Sequence, residues 1–222
     1  GLMGAGRTEL AMSIFGKSYG AKISGTIKIH GQEVKLNNVK QAIDAKLAYV
    51  TEDRKGDGLI LSNPIFVNNS LANMDKVSNR KIIDKDKEIL AAKEYVEKLN
   101  TKTPTVMQNV ENLSGGNQQK VLLGKWMFAD PEIMILDEPT RGIDVGAKYE
   151  IYQIINRLVA EGKSVVLISS ELTEVLGMSD RIYVMHEGRI IAEFNREEAS
   201  QEVIMSCIMR ENMEKERRTA VS

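Results

Sequence analysis

At 222 residues, the chain is long enough to bury a substantial core as a single domain. Its 30 basic and 31 acidic side chains nearly cancel, so the composition favours neither nucleic acid nor an anionic membrane surface as a partner. The single cysteine, Cys207, excludes an internal disulfide and indicates a reducing compartment, and no run approaches the roughly 20 apolar residues of a membrane span.

The first ten residues, GLMGAGRTEL, have the G-x-x-x-x-G spacing of a loop that cradles phosphate, followed by a basic residue and a threonine. In such loops the glycines let backbone N–H groups point inward, and the following helix adds its positive end. The predicted phosphate contacts are Gly1, Gly4, Ala5, Gly6, Arg7 and Thr8. The Thr8 hydroxyl is also a predicted ligand of Mg²⁺. A glycine-rich turn without a ligand is an equally good interpretation of these residues alone.

Short apolar segments predict the strands. Gly25–Gly31 is predicted as a β-hairpin arm and Leu47–Val50 as a core strand. Three later runs are continuously apolar, as expected of parallel strands that are covered on both faces. These runs are Ile133–Leu136, Val165–Ile168 and Ile182–Met185. His186–Arg189 predicts a turn into a last strand, Ile190–Phe194.

Helical patterns lie between these strands. Ala147–Ala160 connects two of the apolar runs and predicts a right-handed strand–helix–strand unit. Asp84–Asn100 predicts a charged amphipathic helix, and Gly116–Phe128 predicts a second helix. No central strand is evident between Glu52 and Leu113, so this middle part of the chain is predicted to be mostly helical.

These elements predict one α/β domain with a mainly parallel sheet. Residues 59–128 are predicted to form a helical subdomain, inserted into a core made of residues 1–58 and 129–210. The charged segment 211–222 carries no core pattern and is predicted to be a frayed helix or a tail.

The apolar strand at Ile133 ends in an acidic pair, Asp137 and Glu138. This places Asp137 at the carboxyl edge of the sheet, where α/β proteins bind their ligands. Asp137 can therefore hold Mg²⁺, and Glu138 can polarise an attacking water molecule. A strand that ends in a solvated acidic turn is the alternative interpretation.

The stretch Leu113–Lys120 (LSGGNQQK) opens the second predicted helix. Ser114 can cap this helix, and Gly115 and Gly116 leave space for the phosphates of another molecule. Together with LDEPTRGIDVGAK a short distance later, this stretch resembles the ATP-binding cassette (ABC) family, whose LSGGQ-type signature precedes its acidic strand. The resemblance extends from the start of the chain to about Met209.

The resemblance implies a P-loop NTPase-like ABC cassette with a mainly parallel sheet, a β-hairpin arm and an inserted helical subdomain. It also implies ATP and Mg²⁺ as ligands, and two cassettes that pair head to tail around two ATP molecules. Four residues would then contact the nucleotide held by the partner cassette. They are Ser114, Gly115, Gly116 and Asn117. Asp144 matches the loop that crosses the interface between the cassettes.

Three residues depart from the family pattern. Arg7 stands where such loops carry lysine, and its longer, planar side chain does not fit a lysine's narrow slot without rearrangement. Glu52 aligns with a glutamine that senses Mg²⁺, and its carboxylate can still bind the ion but faces phosphate charge. Ser170 stands where a catalytic histidine usually touches the γ-phosphate, and it offers no imidazolium charge. Since Asp137 and Glu138 are retained, we expect this site to bind nucleotide but hydrolyse it poorly.

The same motifs resemble the second, C-terminal cassette of monosaccharide importer ATPases, which fuse two cassettes in one polypeptide. This resemblance implies a partner cassette, membrane permease subunits and an extracytoplasmic sugar-binding protein, with no nucleic acid. It implies a peripheral location at the cytoplasmic face of the inner membrane. It also implies that the chain is a fragment, because the strand that feeds the phosphate loop is absent.

Some interpretations stay open. A non-hydrolysing regulatory half-site is one alternative function, and a soluble cassette ATPase of DNA repair or translation is another. Pro64, Ile65 and Phe66 either contact the membrane subunit or pack the helical subdomain. The cluster Asp53–Asp57 is predicted to be a solvated loop, from which Arg54 could approach the nucleotide.

Overall fold

The structure, a computed structural model, describes residues 4–20 and 22–221. Its α-helices are α1 (Arg7–Ile14), α2 (Val39–Asp44), α3 (Ile65–Ser70), α4 (Lys85–Lys98), α5 (Gly115–Phe128), α6 (Val145–Ala160), α7 (Leu172–Met178) and α8 (Gln201–Val221). Its strands are β1 (Ile27–Ile29), β2 (Gln32–Val34), β3 (Leu47–Val50), β4 (Ser78–Asn79), β5 (Ile82–Ile83), β6 (Ile133–Asp137), β7 (Ser164–Ile168), β8 (Arg181–His186) and β9 (Arg189–Asn195). The chain also forms a turn of π-helix, Arg54–Gly58, and 3₁₀-helices at Leu71–Val77 and Val110–Asn112.

The central sheet is parallel, with strand order β3-β6-β7. Leu47 lies opposite Ile133, which in turn lies opposite Ser164. β3 is buried throughout and β6 almost throughout, as their continuously apolar sequences predict. Within the described residues no strand pairs with the outer edge of β7, and Val166 on this strand is 50% exposed.

The strand predicted at Ile182–Met185 is confirmed, but its predicted parallel pairing is wrong. β8 pairs antiparallel with β9 through a two-residue turn, Glu187–Gly188, and both turn residues have positive φ. Such turns match the right-handed twist of a hairpin. α7 and α8 cover this hairpin and form a second apolar cluster with it, which contains Ile182, Val184 and Ile204.

The predicted β-hairpin arm is also confirmed. β1 and β2 pair antiparallel, and the turn residues His30 and Gly31 both have positive φ. The His30 ring lies 2.9 Å from the carboxylate of Glu132, just before β6. This contact joins the arm to the start of the central strand.

Helices α3, α4 and α5 pack against one another, and α5 also packs on β3. Asn68 organises the loop that leads into α3, because its buried amide bonds to the backbone of Ile60, Asn63 and Pro64. Ile65 is 1% and Phe66 7% exposed, and both belong to the main apolar cluster. Of the two interpretations of Pro64–Phe66, the structure favours packing. The predicted subdomain boundaries stay a prediction.

The last helix, α8, continues through the charged segment that begins at 211, so the helical alternative for this segment is confirmed. Ile204 and Ile208 of α8 are buried. No helix in the described part of the chain combines the length and the apolar character that crossing a bilayer requires.

The junction between α1 and α2 depends on Gly16. This residue has φ +71°, and a Cβ built on it would lie 2.3 Å from the backbone carbon of Asn38 and from the nitrogen of Val39. The preceding Phe15 packs edge-on against Trp126, with ring centroids 5.4 Å apart. A side chain at Gly16 therefore requires the helices to separate.

We expect Gly16→Ala to lower the free energy of unfolding by about 2–4 kcal/mol, because backbone strain and a backbone clash add together. Gly162→Ala is the matched control, since Gly162 has φ +85° but no atom within 4 Å of a built Cβ. It should lose only about 1 kcal/mol. Urea denaturation followed by the fluorescence of Trp126, the chain's one tryptophan, measures both. Equal losses would contradict the steric argument.

Candidate nucleotide-binding site

A cleft of about 300 Å³ lies at the carboxyl edge of β3 and β6, beside the N-terminus of α1. It contains most of the predicted phosphate-loop residues together with two of the predicted acidic residues. Its lining is formed by Gly4, Ala5, Gly6, Arg7, Thr8, Glu9, Glu52, Glu138 and Arg141. Gly1 falls outside the described residues.

The phosphate loop is held in place by the β8–β9 turn. Gly4 and Gly6 have positive φ, which favours glycine, and Gly6 occupies the N-cap of α1. The Gly188 N–H donates to the Ala5 carbonyl at 2.9 Å. A Cβ on Gly6 would lie 3.0 Å from the Gly188 Cα, so glycine at this position also permits the close approach of the turn.

Asp137 lies at the end of β6 and is completely buried. The hydroxyl of Tyr49, from β3, donates to its Oδ2 at 2.9 Å, whereas its Oδ1 is buried with no hydrogen-bond partner. Burial raises the pKa of Asp137, while Thr8, Tyr49 and Arg7 act in the opposite direction. Burial and the neighbouring Asp137 also raise the pKa of Tyr49.

The unpaired oxygen of Asp137 suits a divalent cation. Mg²⁺ takes oxygen ligands and is usually held by one or two carboxylates together with phosphates and water. Asp137 and the hydroxyl of Thr8 are the groups that fit this requirement. Within residues 4–20 and 22–221 no three His, Cys, Asp or Glu side chains are grouped to hold a metal ion, so the phosphates would have to complete the coordination.

Arg7 and Glu138 form an ion pair inside the cleft. Nη1 of Arg7 lies 3.1 Å from Oε1 of Glu138, and the two side chains are only 12% and 7% exposed. Glu138 has φ +46°, and its N–H donates to the carbonyl of Ile168 at 2.8 Å. The carboxylate predicted to polarise water is therefore neutralised by the arginine that replaces the expected lysine.

A second ion pair joins Glu52, after β3, to Arg141, after β6. Both residues line the cleft. Glu52 is a predicted Mg²⁺ ligand, and in this arrangement its carboxylate is occupied by Arg141.

Ser170, predicted to act near the γ-phosphate, is exposed after β7 and is not among the residues that line the cleft. Its neighbour Ser169 is buried, and the Ser169 hydroxyl accepts the N–H of Glu171 at 3.0 Å. The structure therefore does not bring Ser170 together with Glu138 in one pocket.

The predicted signature residues, Ser114–Asn117, form a turn at the start of α5 and lie outside the cleft lining. Ser114 occupies the N-cap position of α5, as predicted, but its side chain makes no hydrogen bond to the backbone of the helix. Its hydroxyl instead accepts from the Asn117 amide at 2.9 Å, and the Asn117 carbonyl oxygen accepts the N–H of Lys102. The physical reason is that Asn117 competes for the serine oxygen.

The two signature glycines are packed from within the chain. A Cβ on Gly115 would lie 2.9 Å from Nη2 of Arg54, and a Cβ on Gly116 would lie 2.5 Å from the Cβ of Ala147 in α6. Asp144, predicted to lie at the cassette interface, caps α6 by accepting the N–H of Ala147 at 2.9 Å. The signature turn and the Asp144 loop are therefore neighbours in this chain.

The fold and these motifs agree with a known family. The family model described as "ABC transporter" matches residues 1–141. The chain belongs to the ABC transporter family.

Several curated members of the ABC transporter family are similar to this chain. The L-arabinose transport ATP-binding protein AraG of Geobacillus stearothermophilus is 60% identical over 205 residues, which are 92% of this chain and 40% of that protein. The xylose import ATP-binding protein XylG of Thermoanaerobacter pseudethanolicus is 55% identical over 207 residues, 93% of this chain and 41% of that protein. The ribose import ATP-binding protein RbsA of Clostridium perfringens is 52% identical over 206 residues, 92% of this chain and 41% of that protein. The chain thus spans about two-fifths of the length of these relatives.

Solved structures confirm the predicted fold class. An ATP-binding cassette of an ABC transporter in its ADP conformation superposes with a TM-score of 0.74 at 21% identity, covering 94% of this chain and 85% of that one. A dimeric cassette in a post-hydrolysis state, bound to ADP and Pi, gives a TM-score of 0.71 at 20% identity, covering 86% and 81%. At these sequence identities the structural similarity shows the ABC fold and nothing further.

The sequence analysis did not predict a role for two residues of this site. Arg141 lies inside the quoted motif LDEPTRGID, but nothing in the sequence connects it with Glu52. Tyr49 lies in an otherwise apolar strand, where a buried hydroxyl needs a partner. This need for a partner could have predicted a polar contact for Tyr49, which the structure shows to be with Asp137.

The contact between Gly116 and Ala147 is testable through stability. We expect Gly116→Ala to destabilise the chain by about 1–3 kcal/mol, because the added methyl group pushes α5 away from α6. Adding Ala147→Gly should recover most of this loss, although Ala147→Gly alone costs about 0.5–1 kcal/mol. A double-mutant cycle from urea denaturation measures the coupling. Strictly additive effects would show that the two residues do not compete for the same space.

Proposed function

We propose that the chain is the second nucleotide-binding cassette of a two-cassette ATPase that powers monosaccharide import. The proposal is supported by the relatives named above, which transport arabinose, xylose or ribose. This chain spans about two-fifths of each relative, which leaves room for another cassette in the same polypeptide. The assignment as the second cassette rests on the resemblance of its motifs. The predicted partners follow: the other cassette, permease subunits and, indirectly, an extracytoplasmic sugar-binding protein. The proposed location is the cytoplasmic face of the membrane.

The proposed reaction is in-line attack of water on the γ-phosphorus of ATP, in which the bond to the β-phosphate oxygen breaks and ADP and phosphate leave. Backbone N–H groups of the phosphate loop bind the phosphates, and Asp137 and Thr8 are the residues that would hold Mg²⁺, an ion that would neutralise phosphate charge. Glu138 orients the water and accepts its proton. Such catalysis depends mainly on positioning and charge stabilisation, so the placement of Glu138 is decisive.

The proposed difference in turnover between the chain's own site and the partner's site rests on the ion pair between Arg7 and Glu138, whose atoms lie 3.1 Å apart. A carboxylate that is paired with a guanidinium has to give up that contact before it can bond to an attacking water molecule. We infer that the chain's own site binds nucleotide and turns it over slowly. The signature turn Ser114–Asn117 is proposed to complete the partner's pocket, which carries most of the turnover.

The same ion pair favours a second candidate function. If Arg7 never releases Glu138, the chain is a regulatory half-site that binds ATP and acts only by completing the partner's pocket. The two functions make opposite predictions for hydrolysis at this site alone.

Single-turnover hydrolysis separates them. With the partner cassette's catalytic glutamate replaced in the full-length protein, we expect slow hydrolysis that Glu138→Gln abolishes. Arg7→Lys should accelerate it about tenfold, because a lysine supplies a point charge to the phosphates and leaves the carboxylate of Glu138 without its forked partner. Complete absence of hydrolysis in all three proteins would establish the regulatory half-site instead.

The role of the signature turn is tested by uptake. Ser114 is exposed, so Ser114→Arg should fold normally but place a long side chain where the partner's triphosphate would lie. We expect loss of energy-dependent uptake of labelled pentoses and hexoses in cells that rely on this protein. Asn112→Arg, at an exposed neighbouring position before the turn, is the matched control. Normal uptake with Ser114→Arg would refute the proposed pocket.

A further inference from the structure

The segment after β3 is solvated, as predicted, since Asp53, Lys55, Gly56 and Asp57 are exposed, but it is an ordered turn in which Arg54 is half-buried. Residues Arg54–Gly58 form a single turn of π-helix. The carboxylate of Asp53 fixes its start by accepting the N–H groups of Lys55 at 3.1 Å and Gly56 at 2.9 Å.

Arg54 projects from this turn into the junction between the cleft and the signature turn. Its Nη1 donates to the carbonyl of Arg141 at 2.9 Å, and its Nη2 donates to the carbonyl of Gly142 at 3.3 Å. The same Nη2 lies 2.9 Å from the position that a Cβ of Gly115 would occupy. One guanidinium therefore bonds to the Arg141–Gly142 backbone and lies against Gly115, so it meets two segments that are distant from it in sequence.

The surroundings of Arg54 are unfavourable for its charge. Burial lowers the pKa of Arg54, and its Nε is buried without a hydrogen-bond partner. An unsatisfied buried donor costs free energy, so stability alone gives no reason for an arginine here. The reason for an arginine at this position is its planar fork, which bonds two successive carbonyls and which no other side chain provides.

The same turn is anchored on both sides. Just before it, Glu52 forms an ion pair with Arg141, the residue whose carbonyl accepts from Arg54. At its end, the carbonyl of Gly58 accepts from Nζ of Lys125 in α5 at 2.6 Å. The signature turn opens α5 and Lys125 lies in its last turn, so this short network runs from the rim of the cleft to both ends of the signature helix.

We propose that Arg54 is a positioning residue that couples nucleotide in the chain's own cleft to the placement of the signature turn. The proposal rests on the proposed function, in which the signature turn serves the partner's nucleotide. Phosphates in the cleft attract Arg141 away from Glu52, and the backbone of Arg141 and Gly142 moves with it. Arg54 transmits this movement to Gly115. A slowly hydrolysing site then acts as a sensor that adjusts the partner's pocket.

The test compares Arg54→Gln, Arg54→Lys and Lys55→Gln in the native full-length protein. Lys55 is exposed and adjacent, so Lys55→Gln removes the same charge without touching the junction. With Arg54→Gln we expect faster amide exchange in both residues 114–117 and 141–144. We also expect kcat for ATP to fall roughly ten- to a hundredfold, as a small displacement of a catalytic group allows. Mg-ADP affinity at the chain's own site should stay within about twofold, because Arg54 does not line the cleft.

Arg54→Lys should restore part of kcat, since an ammonium group can still reach one carbonyl, and Lys55→Gln should behave as the wild type. Unchanged exchange in residues 114–117 with Arg54→Gln would overturn the inference, and so would an equal loss of kcat with Lys55→Gln. The proposed function fails separately, if the wild-type protein shows no ATP turnover that depends on Ser114. The exchange comparison still decides the role of Arg54 in that case.

Discussion

The position of β6 between β3 and β7 determines the geometry of the candidate site. Both neighbours are parallel to β6, so all three strands deliver their carboxyl ends to one edge. Asp137 ends β6 in complete burial and is reached by the hydroxyl of Tyr49 from β3. The next residue, Glu138, is anchored by its N–H to Ile168 of β7. The two carboxylates are thus fixed by the sheet, whereas the cationic groups come from flanking elements.

Two arginine–glutamate ion pairs lie in the cleft, so its positive and negative charges neutralise each other. Arg7 neutralises Glu138, and Arg141 neutralises Glu52. A triphosphate competes with both glutamates for the same guanidinium groups, since arginine binds phosphate as a fork. In the proposed function, nucleotide binding weakens both pairs. Release of Glu138 then bears on the chemistry of this site, and movement of Arg141 bears on the signature turn. The two consequences are distinct because the pairs lie on different loops.

The sequence predicts features that depend on neighbouring residues and does not predict contacts between distant ones. Leu47–Val50 and the run at Ile133 gave strand positions that agree closely with β3 and β6, because burial on both faces leaves a continuous apolar pattern. The same pattern could not distinguish parallel from antiparallel pairing at β8, where the partner is set by a turn of two residues. Arg54 was predicted to lie in a solvated loop from which it could approach the nucleotide, but its bonds to carbonyl groups 87 and 88 residues away were not predicted. Contacts of this range leave no trace in a single sequence.

The packing of the signature turn changes what its motif implies. A Cβ on Gly116 would collide with the Cβ of Ala147 in the same chain, so folding requires glycine there whatever nucleotide approaches from outside, whereas a Cβ on Gly115 would meet the movable end of the Arg54 side chain. Gly116 therefore does not by itself indicate a ligand. Ser114 differs, because it is exposed and its hydroxyl bonds only to the neighbouring Asn117 amide among the contacts described. No buried contact demands a serine at this position, and alanine would serve the helix start almost as well. Ser114, rather than the glycines beside it, is therefore the residue whose replacement tests the proposed contact with a partner's phosphate without disturbing the fold.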